Sequence, residues 1–148
     1  MYRFSLETVL KHRKHTEEVL QKAFVDKKRE LLMAEESLAS LEAVKMKNLS
    51  ALHQKQQDGA GIWAVVLYDN YIRQISIKLS NQSNRIKELK HELSANRKEL
   101  IEAMKRRKTL DRLKEKKWEA YKKTVERKEQ IFLGETAING FHRTNYSS

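Results

Sequence analysis

The residues of this chain that could do chemistry are few, and their types and spacing exclude more than they offer. His12 and His15 lie about one helical turn apart, a spacing at which two imidazoles can share a metal ion, but no carboxylate cluster completes the set. They read as surface residues, and no metal site is expected. His53, His91 and His142 are isolated. The pairs Glu17-Glu18 and Glu35-Glu36 are adjacent in sequence, so their members point to different sides of a helix rather than converging for acid or base work. Gly59-Ala60-Gly61 lacks the lysine and hydroxyl residue that a phosphate-cradling loop needs. There is no cysteine, hence no thiol nucleophile, thiolate metal site or disulfide. Catalysis and cofactor binding are therefore not expected of this chain alone.

The remaining chemistry is electrostatic and aromatic. Lys+Arg number 31 against 20 Asp+Glu, a formal charge of +11, which favours acidic partners. Residues 1 to 29 carry about +4, residues 97 to 128 about +8, and the remainder about −1. The stretch from Lys105-Arg106-Arg107-Lys108 through Lys128 also holds Trp118 and Tyr121, a combination that can meet phosphates and stack on bases. Glu115, Glu119 and Glu126 interleave at helical spacing and neutralise part of that field. A membrane-surface helix would want a broader apolar face than a two-position seam provides. The longest uncharged stretch, Gly59 to Tyr68, is far too short to span a bilayer. The start of the chain lacks an apolar signal core, so the protein is expected to be made and kept in the cytoplasm.

The elements that position these residues are helices. With 34% charged and 39% hydrophobic residues in 148, the chain has too little apolar surface for an ordinary globular core, whereas a seam between helices needs less. There is no proline, and the four glycines stand at Gly59, Gly61, Gly134 and Gly140. This punctuation predicts an all-α fold: two long helices in one antiparallel coiled-coil hairpin over residues 1–134, turning near 57–62, with a flexible tail over 135–148. Ser5 is placed to cap the first helix near Leu6, with Phe4 stapled on Val9. Gly134 is placed to end the second, and Asn139-Gly140 to make a further turn.

Alternate spacings of three and four select Leu6, Leu10, Arg13, Glu17, Leu20, Phe24, Lys27, Leu31, Ala34, Leu38, Leu41, Lys45, Asn48 and Leu52 in the first helix. In the second they select Val65, Tyr68, Ile72, Ile75, Leu79, Gln82, Ile86, Leu89, Leu93, Asn96, Leu100, Ala103, Arg107, Leu110 and Lys114. The two sets mirror each other, with facing positions whose numbers add to about 120, as an antiparallel hairpin requires. Leu10 is expected to face Leu110, Leu31 to face Leu89, and Leu38 to face Gln82. Arg13 is expected opposite Arg107, a like-charge meeting in the seam. The first helix is expected to run about 50 residues and the second about 70, an excess of roughly 30 Å at ~1.5 Å per residue. The excess carries Trp118, Tyr121, Val125 and Ile131 and calls for a partner. At the turn, Ile62, Trp63, Val66, Leu67 and Tyr71 are expected outside or beside the seam.

The opening Phe4-Ser5-Leu6-Glu7-Thr8-Val9-Leu10-Lys11-His12-Arg13, with Glu17 and Glu18 one turn on, resembles the start typical of the FliJ family of flagellar type III export stalk proteins. The glycine-rich turn followed by Trp63, Tyr68 and Tyr71, and the long basic second helix, are similar as well, so the resemblance runs to about Gly134. It implies a non-enzymatic stalk that links the hexameric export ATPase to the cytoplasmic domain of the membrane export gate, promotes assembly and activity of the ATPase, and binds export chaperones. By that resemblance the ATPase ring would be met by Leu6, Val9, Leu10, Arg13, Leu110, Leu113, Trp118 and Tyr121. The gate would be met by Leu41, Val44, Tyr71 and Ile75; at Lys78 and Gln82 this sequence departs from the family's gate-contact residues. The chain would work in the cytoplasm, peripheral to the inner membrane at the flagellar base, monomeric by itself and joined to the membrane through its partners, with no nucleic acid bound. The competing readings are a basic helical hairpin that binds nucleic acid, an injectisome stalk of the same class, and a coiled coil that acts by self-association.

Overall fold

A computed structural model of the chain describes residues 2–146. Two helices account for nearly all of them: α1 (Glu7–Gln57) and α2 (Ile62–Tyr146), packed against each other as a hairpin with the second longer. All heptad positions predicted above are partly or wholly shielded from solvent, while most of their neighbours are exposed. Leu10, Ile72, Ile75, Ile86, Leu89 and Ala103 are the most enclosed helical residues. Apolar contact between the helices thus follows the 3.5-residue repeat, and charged residues beside it pair across the two helices.

The chain divides into two compact units. One comprises Glu18–Ile101 and holds the turn. There α1 ends in a glycine cap: Gly59 adopts φ 72°, the Gly59 amide donates to the Gln56 carbonyl at 3.3 Å, and the Ala60 amide donates to the Lys55 carbonyl at 2.9 Å. These paired bonds satisfy carbonyls that the last helical turn would otherwise leave without donors. The Gly61 carbonyl then accepts from the Ala64 amide at 3.1 Å and opens α2. The four residues 58–61 are therefore enough to reverse the chain.

The other unit comprises residues through Glu17 and from Glu102 onward. Here α1 starts at Glu7, whose amide donates to the Phe4 carbonyl at 3.1 Å; among the described residues Ser5 makes no side-chain bond to the helix. Phe4 is buried while Val9 is exposed, so burial of Phe4 anchors the entry to α1 in place of the expected serine cap. A larger difference concerns the far end of α2. Gly134 does not cap it, and Asn139-Gly140 makes no turn, because both lie within an unbroken helix that continues to Tyr146. A glycine inside a helix costs only about 1 kcal/mol relative to alanine, and without a proline nothing forces a stop. Neither Gly134 nor Gly140 has a positive φ. α2 is accordingly 85 residues long rather than about 70. Ser147 and Ser148, the last of the expected tail, lie outside the described residues.

Two measurements check this packing. Leu89, 1% exposed, is expected to cost about 2 to 4 kcal/mol when changed to alanine, whereas Leu32→Ala, at an exposed position of the same unit, should change urea-unfolding stability by less than about 0.5 kcal/mol. Gly59→Ala is expected to destabilise by about 1 kcal/mol, because alanine is strained at that φ although no atom crowds the site; Gly61→Ala, with negative φ, should not.

Candidate functional site

Several polar residues in and beside the seam find partners across it. In the unit that holds the turn, Gln82 Nε2 donates to the Ala34 carbonyl at 3.0 Å, so the amide that was expected to oppose Leu38 bonds to backbone instead. Lys27 Nζ lies 2.9 Å from Glu92, and Arg85 lies 2.9 Å from Glu30, with Glu88 also in reach. Their hydrogen bond holds the Glu92 carboxyl below the usual carboxylate range and raises the Lys27 ammonium. The bond from Arg85 to Glu30, then that to Glu88, raises the Arg85 guanidinium further.

In the unit that joins the two chain ends, the expected meeting of Arg13 with Arg107 is replaced. Arg107 binds Glu17 across the seam and Asp111, at 2.6 Å, on its own helix. Two half-buried carboxylates thus neutralise the guanidinium, and the hydrogen bond with Glu17, more than that with Asp111, raises its pKa. Two turns beyond Arg107, Lys114 Nζ lies 2.8 Å from Glu7 and holds that carboxyl below its ordinary value, chiefly through the hydrogen bond. Further along α2, Tyr2 packs on Trp118 and Tyr121 with ring centroids 5.4 and 5.0 Å apart, and Trp118 stacks on Tyr121 at 5.8 Å. Trp118 remains 43% and Tyr121 37% exposed, so the cluster still offers a face to a partner.

The residues that the resemblance assigned to the ATPase ring all fall in this unit. Leu10 is fully enclosed between the helices and presents no surface; Leu6, Arg13, Leu110 and Leu113 are half-buried; Val9, Trp118 and Tyr121 are exposed. Tyr2 was not among them. The register rule that adds facing numbers to about 120 pairs it with Trp118, and its place before the first helix hid the signal. The residues assigned to the gate fall in the other unit. Ile75 is enclosed and Leu41 half-buried, whereas Val44 and Tyr71 are exposed. Ile62, Trp63, Val66 and Leu67 are exposed on the first turns of α2, Trp63 at 81%. No lysine or arginine occurs from Gln56 through Ile72.

With this geometry in view, the family whose description reads flagellar FliJ protein matches residues 2–145. The chain belongs to the FliJ family. That makes it a non-catalytic stalk-type component of the flagellar export apparatus. FliJ membership covers both helices, the turn and the aromatic cluster. A solved structure described as a putative YscO homolog, CT670 from Chlamydia trachomatis, is 26% identical to this chain, covers 97% of it and 99% of its own length, and superposes with a TM-score of 0.48. No curated protein matches. No helix among the described residues is long and apolar enough to cross a membrane.

The cross-seam pairs have a pH signature. Glu7 and Glu92 are held below their ordinary value of 4.5, so the stability they contribute is complete above about that pH and is lost as the pH falls through their lower folded values. Lys27 has the opposite sign: its contribution is complete below about 10.5 and is lost as the pH rises through its higher folded value. The thermal midpoint is expected to fall on acidification below about pH 4.5, and Glu92→Gln should fall less steeply over the same range. An identical slope for the variant would show that the pair with Lys27 adds nothing to stability.

Proposed function

We propose that this chain is the stalk of the flagellar type III export apparatus, seated by its chain-end unit in the central hole of the hexameric export ATPase, where it promotes assembly and activity. The observation that carries this reading is the half-exposed Tyr2, Trp118 and Tyr121 cluster within the unit that contains most of the excess positive charge. An aromatic group with one free face, set among cations, suits an acidic protein surface with apolar recesses. Val9, Arg13 and Leu113 flank the contact, while Leu10 and Leu110 act from within the seam by holding the two helices together at that point.

The unit with the turn serves the cytoplasmic domain of the export gate. Val44 and Tyr71 make the contact, and Leu41 and Ile75 support them from the seam. Export chaperones are further partners of the same stalk. In this reading the chain is monomeric by itself, works in the cytoplasm at the flagellar base, and associates with the inner membrane only through its partners.

The test is ATPase stimulation with the full chain and with Trp118→Ser/Tyr121→Ser, both positions being exposed. The wild type is expected to stimulate the purified export ATPase and the double variant to lose most of that effect. A wild-type chain without stimulation, combined with salt-sensitive binding to unspecific DNA, would replace this reading by nucleic-acid binding, since phosphate contacts lose affinity steeply with salt.

A further inference from the structure

The side of α2 that faces away from α1 changes character two turns after the reversal. Val65, Tyr68 and Ile72 lie in the seam and are shielded, whereas Ile62, Trp63, Val66 and Leu67 are exposed, Ile62 at 73% and Leu67 at 71%. At about 100° per residue these four lie within about 140° of one another, and no polar residue stands between Gly61 and Tyr68. From Ile62 to Leu67 the helix rises about 8 Å. The next outward positions, Asn70, Arg73 and Gln74, are polar and exposed. Arg73 Nε lies 3.0 Å from Asp69, and Asp58 at the end of α1 accepts from Gln54 Nε2 at 3.2 Å. The patch therefore holds no cation, and the two carboxylates nearest to it are already answered.

We propose that the turn end of the hairpin enters the interfacial layer of a phospholipid bilayer through Ile62, Trp63, Val66 and Leu67, without need of anionic headgroups. The breadth of the face selects lipid. A bilayer interface rewards an unbroken apolar surface, whereas a protein contact sets polar residues around and among its apolar anchors. The extent of the face agrees as well. Entered obliquely, about 8 Å of apolar helix reaches the depth of about 5 to 10 Å at which such faces settle, and Asn70 with the Arg73–Asp69 pair then stands on the water side. α1 packs on the seam side, opposite the patch, which leaves its polar last turn, Gln54 to Asp58, toward water. Trp63 suits the boundary because its indole joins a large apolar surface to a single N–H donor. Charge selects the kind of lipid: the chain carries +11 in all, yet no lysine or arginine stands from Gln56 through Ile72, so apolar burial alone drives this contact. The patch is far too short to span the bilayer and lies at its surface. Membrane association is then direct as well as through the partners of the stalk; Tyr71, one turn further along α2, is left to the gate.

Flotation of the full chain with neutral vesicles of phosphatidylcholine and phosphatidylethanolamine, at low and at high salt, tests this. The wild type is expected to float at both, because apolar burial is not screened, and Trp63→Ser/Leu67→Ser to partition at least tenfold less. Ile77→Ser, exposed on the same outward side beyond the polar row, should float as wild type. The chain has no cysteine, so Val66→Cys takes a single nitrobenzoxadiazole label, whose emission should shift to the blue on vesicles and be quenched by nitroxide lipid. Leu32→Cys, labelled alike at an exposed position of α1, should not respond. A wild type that stays in solution with neutral vesicles overturns the proposal. So does one that floats only with phosphatidylglycerol at low salt and does so equally in Trp63→Ser/Leu67→Ser, since that is adsorption of the basic unit. A label at position 66 that responds to the cytoplasmic domain of the export gate and not to vesicles gives the patch to a protein surface; a wild-type dimer that the double variant abolishes gives it to a second copy of the chain. None of these outcomes bears on stimulation of the ATPase, which tests the other unit.

Discussion

Neither helix of this protein has an interior of its own, so the structure depends on one contact: the narrow apolar seam along which α1 and α2 exclude water from each other. A seam of this kind buries about two residues in seven and leaves the rest to solvent. This is why a chain with a third of its residues charged can still order nearly all its length. It is also why the turn matters so much. The glycine cap at Gly59 ends α1 at Gln57 and lets α2 begin at Ile62, so the two repeats enter the hairpin already in phase.

Apolar contact alone would permit several registers, because leucine packs on leucine almost equally well one heptad away. The polar seam positions remove that freedom. Gln82 requires a free carbonyl, Lys27 and Arg85 require carboxylates, and Arg107 requires Glu17; a shifted pairing would set these groups against side chains that cannot answer them. They contribute little as isolated surface pairs, yet they penalise the alternatives. What looks like an imperfect repeat is better understood as a repeat with address marks.

How much of this could be read from the sequence follows from which forces are periodic. The seam was legible in outline, since every position of both predicted heptad sets is shielded in α1 and α2, although residues beside the sets such as Ser76, Ser83, Met104 and Leu113 are shielded too, and the mirror symmetry about the turn sets the hairpin. The partners of the charged residues were less so. Backbone spacing put Arg107 against Arg13, but a long guanidinium reaches several positions, and it turned to Glu17 and Asp111. The end of α2 is not legible from its glycines, whose cost at Gly134 and Gly140 is small and local, so the helix runs through both. Tyr2 escaped because it precedes the first helix and no helical period points to it. As for the partner-binding face, exposure separates Val9, Trp118 and Tyr121 from the enclosed Leu10, a distinction that the pattern of residue types does not contain.

The exposed run from Glu126 to Tyr146 has a thermodynamic corollary. Because its residues are all exposed, unwinding from the C-terminal end uncovers none of the buried seam and can proceed residue by residue. Its melting is therefore governed by helix–coil statistics and by temperature, separately from the all-or-none loss of the hairpin. A single transition midpoint would describe the paired region and say nothing about this extremity.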